Sequence, residues 1–210
     1  MKNRGLFISV EGIDGVGKST HVPFIANYLR NMGLEVVTTR EPGGTEYGEN
    51  IRDILLHGGG EIHRITELFL MFASRQELIH NFIIPNISNG VCVVADRFID
   101  SSVAYQGAGR EIGVDKIKQI VSILEPQINT DLTLLFDTPL SVATGRLEKN
   151  IDKDRIEKET DRFFTNVQSA YHNILQEEPE RVKLINTDQS VVNTRLKIIE
   201  CIDELVKQIG

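Results

Sequence analysis

Five short runs rich in β-branched residues punctuate the chain, at 6–10, 35–39, 91–95, 132–136 and 182–185. They lack a clean alternation of apolar and polar positions, which is the habit of strands buried on both faces of a parallel sheet. Between them lie segments with helical spacing. Residues 19–32 carry Val22, Phe24, Ile25, Tyr28 and Leu29, and residues 67–79 carry Leu68, Met71, Phe72 and Leu78. Residues 191–209 carry Leu196, Ile199, Ile202 and Leu205. Strands alternating with helices predict right-handed crossovers and an α/β three-layer sandwich, with a five-stranded parallel sheet between helices. No repeat, low-complexity tract or Pro/Gly/Ser linker interrupts the pattern, so residues 1–210 are expected to form one domain.

Composition narrows the class. Of 210 residues, 40% are hydrophobic and 25% charged, the balance of a globular protein able to bury its own core. The net charge of −7 argues against nucleic acid or an anionic membrane as a main partner. A small anionic substrate stays open, because a local cationic pocket can sit in an acidic surface. Cys92 and Cys201 stand alone, without a CxxC pair, so neither a disulfide framework nor a zinc site is expected. The apolar stretch at 6–10 is too short for a signal-peptide core, and no window approaches the roughly 18 apolar residues of a membrane span. The expected location is cytoplasmic.

The first predicted strand runs straight into Gly12-Ile13-Asp14-Gly15-Val16-Gly17-Lys18-Ser19-Thr20. This is G-x-x-x-x-G-K-[ST] with a strand before it and a helix after it, the context that a phosphate-cradling loop requires. Glycines let the backbone fold tightly and turn N–H groups toward a polyphosphate, and the helix adds its positive N-terminal end. Lys18 is then placed for the β/γ oxygens and the Ser19 hydroxyl for Mg²⁺. A second signal is Asp96 at the end of the run at 91–95, a strand-end carboxylate suited to the Mg²⁺ shell; an ordinary strand-end aspartate is the alternative, as Asp137 illustrates.

A phosphate loop alone says only that a nucleoside triphosphate binds. An Asn-Lys-x-Asp guanine reader is missing, since the nearest string is Asn186-Thr187-Asp188-Gln189. Small nucleotide kinases remain, and these need a second anion pocket. Arg40, Arg52, Arg75 and Arg97, at strand ends or on adjacent helices, are suited to converge on a phosphate through bidentate contacts. The rivals are another P-loop deoxynucleoside or nucleoside monophosphate kinase, and a non-catalytic nucleotide-binding switch.

The strings GIDGVGKST at 12–20, TREPGG at 39–44, Asp96-Arg97-Phe98, SSVAYQG at 101–107 and Asp154-Arg155-Ile156-Glu157 together resemble bacterial thymidylate kinases in order and spacing. The resemblance implies Mg²⁺-dependent phosphoryl transfer from ATP to deoxythymidine monophosphate (dTMP), on the nucleotide-kinase version of the P-loop hydrolase fold. It assigns Asp14 to the sugar 3′-hydroxyl and Arg40, Arg52 and Arg97 to the acceptor phosphate, with Glu41 near the sugar or metal shell. Arg75 and Gln106 would meet the thymine edge, with Ser102 and Tyr105 lining the pocket. A phenylalanine stacks on the base in that family. Met71 has the (i, i+4) spacing from Arg75 and Phe72 the better ring face, and Phe72 is preferred here.

The mixed-charge stretch from 145 to about 160 corresponds to the family's lid. The phosphate loop has no arginine at positions 15 and 16, so the lid must supply the cation that offsets charge on the transferring group. Arg146 and Arg155 are the candidates. Asn150 stands where some relatives have an arginine, and Lys149 and Lys153 are possible substitutes. A phosphate nucleophile needs no general base, since its second pKa is about 6, so the five histidines are read as structural or solvent-facing. The resemblance also implies a homodimer, with the apolar segment around Phe69, Ile79, Phe82, Ile83 and Ile84 as interface or core.

Overall fold

The computed structural model describes residues 4–148 and 153–209. The chain order opens with β1 (Phe7–Glu11), α1 (Lys18–Asn31), β2 (Val36–Arg40), α2 (Glu46–His57), α3 (Arg64–Leu78), α4 (Ile84–Ser88) and β3 (Cys92–Asp96). It continues through α5 (Ile99–Ser102), α6 (Val114–Val121), β4 (Leu132–Asp137), α7 (Leu140–Leu147), α8 (Asp161–Glu177), β5 (Val182–Asn186) and α9 (Val191–Ile209). Two π-helical turns, Ile79–Ile83 and Val103–Gly109, extend α3 and α5. The five strands pair in parallel in the order β2-β3-β1-β4-β5, with helices between successive strands.

The runs read from the sequence are these strands, and the reason they lack alternation is visible. All of β1 and nearly all of β3 and β4 is buried, so both faces carry apolar side chains. Ile8, Val10, Val93, Val94 and Leu134 are fully enclosed, and each such side chain contributes roughly 1.5–3 kcal/mol by leaving water. Every strand ends one residue beyond its apolar run, on Glu11, Arg40, Asp96, Asp137 or Asn186. Polar side chains therefore gather at the C-terminal edge of the sheet, where open parallel sheets place their sites. Register aligns Asp96 with Arg40 on one side and with Val10 on the other.

Helix ends divide into two kinds. Thr45 and Thr160 accept from Gly48 N–H at 3.0 Å and Phe163 N–H at 3.3 Å, closing the first turns of α2 and α8. The start of α1 has no such cap: Gly17 sits at φ 95° and no side chain accepts from the first N–H groups. A helix start without a side-chain cap suits an anion.

One continuous cluster of buried apolar side chains runs from Leu6 to Leu205. Ile79 and Ile83 belong to it, which removes them from any interface, whereas Phe69 is 61% exposed. Cys92 and Cys201 are buried and free. Among the described residues no helix is long and apolar enough to cross a membrane.

Candidate active site

Gly12 and Gly15 have φ of 127° and 83°, and a Cβ there would come within 2.2 Å of the Phe136 carbonyl oxygen and 2.4 Å of the Ala143 one. Glycine is thus required where the loop passes under β4 and α7. The resulting turn buries Lys18, whose Nζ donates to the Gly12 and Ile13 carbonyls, both at 2.9 Å, and lies 3.8 Å from Asp14 Oδ1. Burial, with the Arg97 charge nearby, lowers the Lys18 pKa to about 8. An anion at the loop would reverse that pressure.

Arg97 is the hub. Its φ of 76° is left-handed, which is uncommon outside glycine, and its N–H is held by the Val10 carbonyl at 3.0 Å. That backbone turn aims the guanidinium back at the phosphate loop. There it donates to Asp14 Oδ1 at 2.5 Å, Gly12 O at 3.0 Å and the Tyr105 hydroxyl at 3.0 Å. Tyr105 in turn donates to Asp14 Oδ2 at 2.9 Å. Burial favours the protonated form of Asp14, but Arg97, Lys18 and Tyr105 outweigh it and hold its pKa at about 2. Asp14 is a fixed carboxylate.

Around this pair lies a cavity of about 160 Å³ lined by Asp14, Lys18, Arg40, Glu41, Arg52, Arg97, Tyr105 and Gln106, with Met71, Glu67 and Arg155 on its other walls. Arg40 pairs with Glu49 at 2.8 Å, and Arg52 donates to the Pro42 carbonyl at 2.8 Å. Three of the four expected arginines thus share one cavity. Arg75 does not line it. Its guanidinium is fully buried, bonded to Glu41 Oε2 at 2.8 and 2.5 Å, to Ser102 at 2.8 Å and to the Phe98 carbonyl at 3.0 Å. Ser102 is likewise enclosed with Arg75 rather than facing the cavity. Burial raises the Glu41 pKa against the pull of Arg75.

Phe72, the residue preferred from the sequence, lies away from the cavity. It points into the core, 6% exposed, with the Arg75 guanidinium 4.9 Å from its ring centroid, while Met71 lines the cavity. Neighbouring residues of a helix point about 100° apart, so Phe72 and Met71 cannot share one direction, and here Met71 takes the cavity side.

The two arginines expected to act from a lid separate. Arg146 donates to the Gly15 carbonyl at 3.1 Å and the Thr187 carbonyl at 3.3 Å, beside the phosphate loop. Arg155 enters the cavity, donating to Leu55 O at 2.9 Å and Glu67 Oε2 at 2.7 Å. Lys149 and Asn150 lie outside the described residues.

Ser19 and Thr20 are exposed at the open start of α1. Ser19 and Asp96 line a second cavity, of about 400 Å³, together with Arg40 and Thr39. Asp96 Oδ1 is buried there with no hydrogen-bond partner among the described residues. A larger cavity of about 760 Å³, between α6 and α8, contains no phosphate-loop residue, and its Arg181 is already spent on Asp100 and Glu178. Convergent charge and open donors, rather than volume, mark the site.

Four participants carry no signal in the sequence. Glu11 accepts from Phe98 N–H at 2.7 Å, Ser101 at 2.5 Å and Tyr171 at 2.9 Å, clamping the turn that carries Arg97. Tyr171 arrives from α8, and Glu67 with Arg110 completes the wall around Gln106. As sequence, Glu67 is an ordinary acidic residue in a first helical turn.

The family model described as thymidylate kinase matches residues 10–198. A thymidylate kinase of Thiobacillus denitrificans is 43% identical over 201 residues, covering 96% of this chain and 98% of the relative. That of Bordetella pertussis is 41% identical over 208 residues, 99% of either chain. The crystal structure of thymidylate kinase from Ehrlichia chaffeensis matches with a TM-score of 0.79 and 30% identity, over 95% of this chain and 99% of that one.

Proposed function

Since the chain belongs to the thymidylate kinase family, its reaction is transfer of the γ-phosphoryl group of ATP to dTMP, and we propose that the acceptor occupies the cavity shared by Asp14, Arg40, Arg52, Arg97, Tyr105 and Gln106. The observation that carries this reading is that one small space beside Lys18 is lined by four arginines, Arg40, Arg52, Arg97 and Arg155, and by the Asp14 carboxylate kept ionised. Arg40, Arg52 and Arg97 fix the acceptor phosphate, Asp14 accepts from the sugar hydroxyl, and Gln106 meets the base, with Met71 packing beside it. Arg75 acts one layer back, holding Glu41 and Ser102 in place.

At the donor end Lys18 exchanges the Gly12 and Ile13 carbonyls for phosphate oxygens, and the uncapped N–H groups of α1 receive the same anion. The unpartnered Asp96 oxygen and the neighbouring Ser19 hydroxyl are oxygen donors of the kind Mg²⁺ takes, and would hold the ion. When bound, that ion offsets charge on the transferring phosphoryl group. Arg146 and Arg155 supply the remaining cations from the segment 145–160, which we read as a lid on the single domain 1–210. The acceptor oxygen is already ionised, so the protein's work is alignment, charge and exclusion of water. We assign the chain to the cytoplasm, and to a homodimer that uses the face carrying Phe69.

The test is ADP formation from Mg·ATP with each deoxynucleoside monophosphate and with thymidine. Strong turnover with dTMP and little with thymidine supports the arginine pocket; equal turnover with thymidine sinks it. In Asp14→Ala the KM for dTMP rises at least about tenfold while that for ATP changes less, the loss expected for a charged hydrogen-bond acceptor. Equal losses for both substrates would reduce Asp14 to a loop-shaping residue.

A further inference from the structure

Gln106 is 1% exposed, lines the acceptor cavity, and its amide Oε1 is buried with no partner among the described residues. Its Nε2, in contrast, is committed to Glu67 Oε1 at 2.9 Å. Glu67 is itself 1% exposed and receives three other hydrogen bonds. Arg110 Nε donates to Oε1 at 3.2 Å and to Oε2 at 3.1 Å, and Arg155 Nη2 donates to Oε2 at 2.7 Å. Burial opposes ionisation of Glu67, but Gln106 and the two arginines outweigh it and lower the pKa.

An ionised carboxylate only accepts hydrogen bonds, whereas a carboxamide has a donating end and an accepting end. Glu67 therefore dictates which end of Gln106 faces it, and by elimination which end faces the cavity. We propose that Glu67 is a positioning residue for base specificity: it locks the Gln106 amide with its oxygen toward the acceptor base, which selects a base presenting a ring N–H. The inference rests on the reading that this cavity holds the acceptor's base. Thymine and uracil carry such an N–H between two carbonyls. Cytosine presents a bare ring nitrogen there, which would leave two acceptors facing each other in a buried site.

The same geometry says what Glu67→Gln would do. Arg110 and Arg155 can only donate, so they claim the new amide oxygen at the Oε2 position. The new NH₂ then occupies the Oε1 position, facing Gln106. Gln106 must turn its oxygen to that NH₂ and its own NH₂ to the cavity. In the double variant Glu67→Gln/Gln106→Glu the NH₂ at 67 meets a carboxylate at 106, whose second oxygen again faces the cavity as an acceptor.

The experiment compares kcat/KM for dTMP, dUMP and dCMP in the native enzyme, Glu67→Gln and the double variant, with folding checked by circular dichroism. In Glu67→Gln the dTMP:dCMP ratio falls at least about tenfold, as expected when a buried pairing is inverted. The dTMP:dUMP ratio stays within about twofold, because those bases share the N–H. The double variant recovers most of the lost dTMP:dCMP preference. A folded Glu67→Gln enzyme with an unchanged dTMP:dCMP ratio overturns the proposal. So does a parallel loss on all three substrates, which is the signature of a merely structural residue. Should Glu67→Gln not fold, Glu67→Ala decides: with no carboxylate to hold its NH₂, the Gln106 amide is free to turn either end to the cavity, so a fallen dTMP:dCMP ratio supports the proposal and an unchanged one ends it. A native enzyme without preference for ring N–H bases would instead overturn the reading of the cavity itself.

Discussion

Asp14 and Glu11 are three positions apart and have opposite fates. Asp14 faces Arg97, Lys18 and the Tyr105 hydroxyl and is held at a pKa of about 2. Glu11 is fully enclosed beneath the same turn, and burial together with the charge of Asp100 raises its pKa to about 7, against the pull of Ser101, Arg97 and Tyr171. Environment, not side-chain type, sets the role: one is a charged wall of the cavity, the other a hydrogen-bonded clamp. The sign for Glu11 follows from linkage. Between its ordinary value of 4.5 and about 7 the folded state holds a proton that the unfolded state has released, so stability falls as pH rises through this window. Thermal melting of Glu11→Gln against the native protein at pH 5 and pH 7.5 checks this. The native protein should lose ground relative to the variant at the higher pH, and a constant difference would contradict the assigned protonation. Asp14 acts in a separate window, adding stability above its ordinary 3.8 that is lost as pH falls toward 2.

At the scale of elements, the loop between β1 and α1 depends on its neighbours as much as on its own glycines, since Phe136 and Ala143 leave no room for a Cβ at positions 12 and 15. The π-helical turn Val103–Gly109 is the second such element; it brings Tyr105 and Gln106 toward the cavity and packs against α8. The segment carrying Asp154 and Arg155 is the third. It docks through Arg155 on the Leu55 carbonyl of α2 and on Glu67 of α3, while Arg146 on α7 stays with the phosphate loop. Their different seats predict different kinetics. Arg155→Ala lowers kcat by at least about tenfold and also raises the KM for dTMP, because Arg155 lines the proposed acceptor cavity. Arg146→Ala lowers kcat and raises the KM for ATP, leaving that for dTMP nearly unchanged. Steady-state kinetics in both substrates reads the split, and identical profiles would mean that the two arginines act as one diffuse cationic lid.

Across the whole molecule, an acidic chain of net charge −7 still builds a cavity lined by Lys18, Arg40, Arg52, Arg97 and Arg155. Lys18, Arg40, Arg52 and Arg97 come from four different segments, and Asp14 and Glu49 partly neutralise them. Ligand should then stabilise the fold by simple linkage. At a hundred times its Kd, Mg·ATP or dTMP adds about 2.7 kcal/mol, a rise of roughly 5–10 °C in Tm by differential scanning fluorimetry. No rise with dTMP alone would mean that the cavity forms only after ATP binds. What the sequence determined by itself is the periodic part. Strands buried on both faces, the phosphate loop, Asp96 and the arginine positions are local patterns, because backbone sterics, burial and loop chemistry are dictated within a few residues. Tertiary structure alone decided which side chains meet. Phe72 and Met71 are adjacent, yet helix direction turns one into the core and the other to the cavity. Arg75 looks like its fellow arginines until Glu41 and Ser102, 34 and 27 positions away, absorb its charge and donors. Glu67, Glu11, Arg110 and Tyr171 have roles only through partners distant in the chain. Electrostatics and hydrogen bonding act over a few ångströms of space, and no spacing along a sequence encodes that proximity.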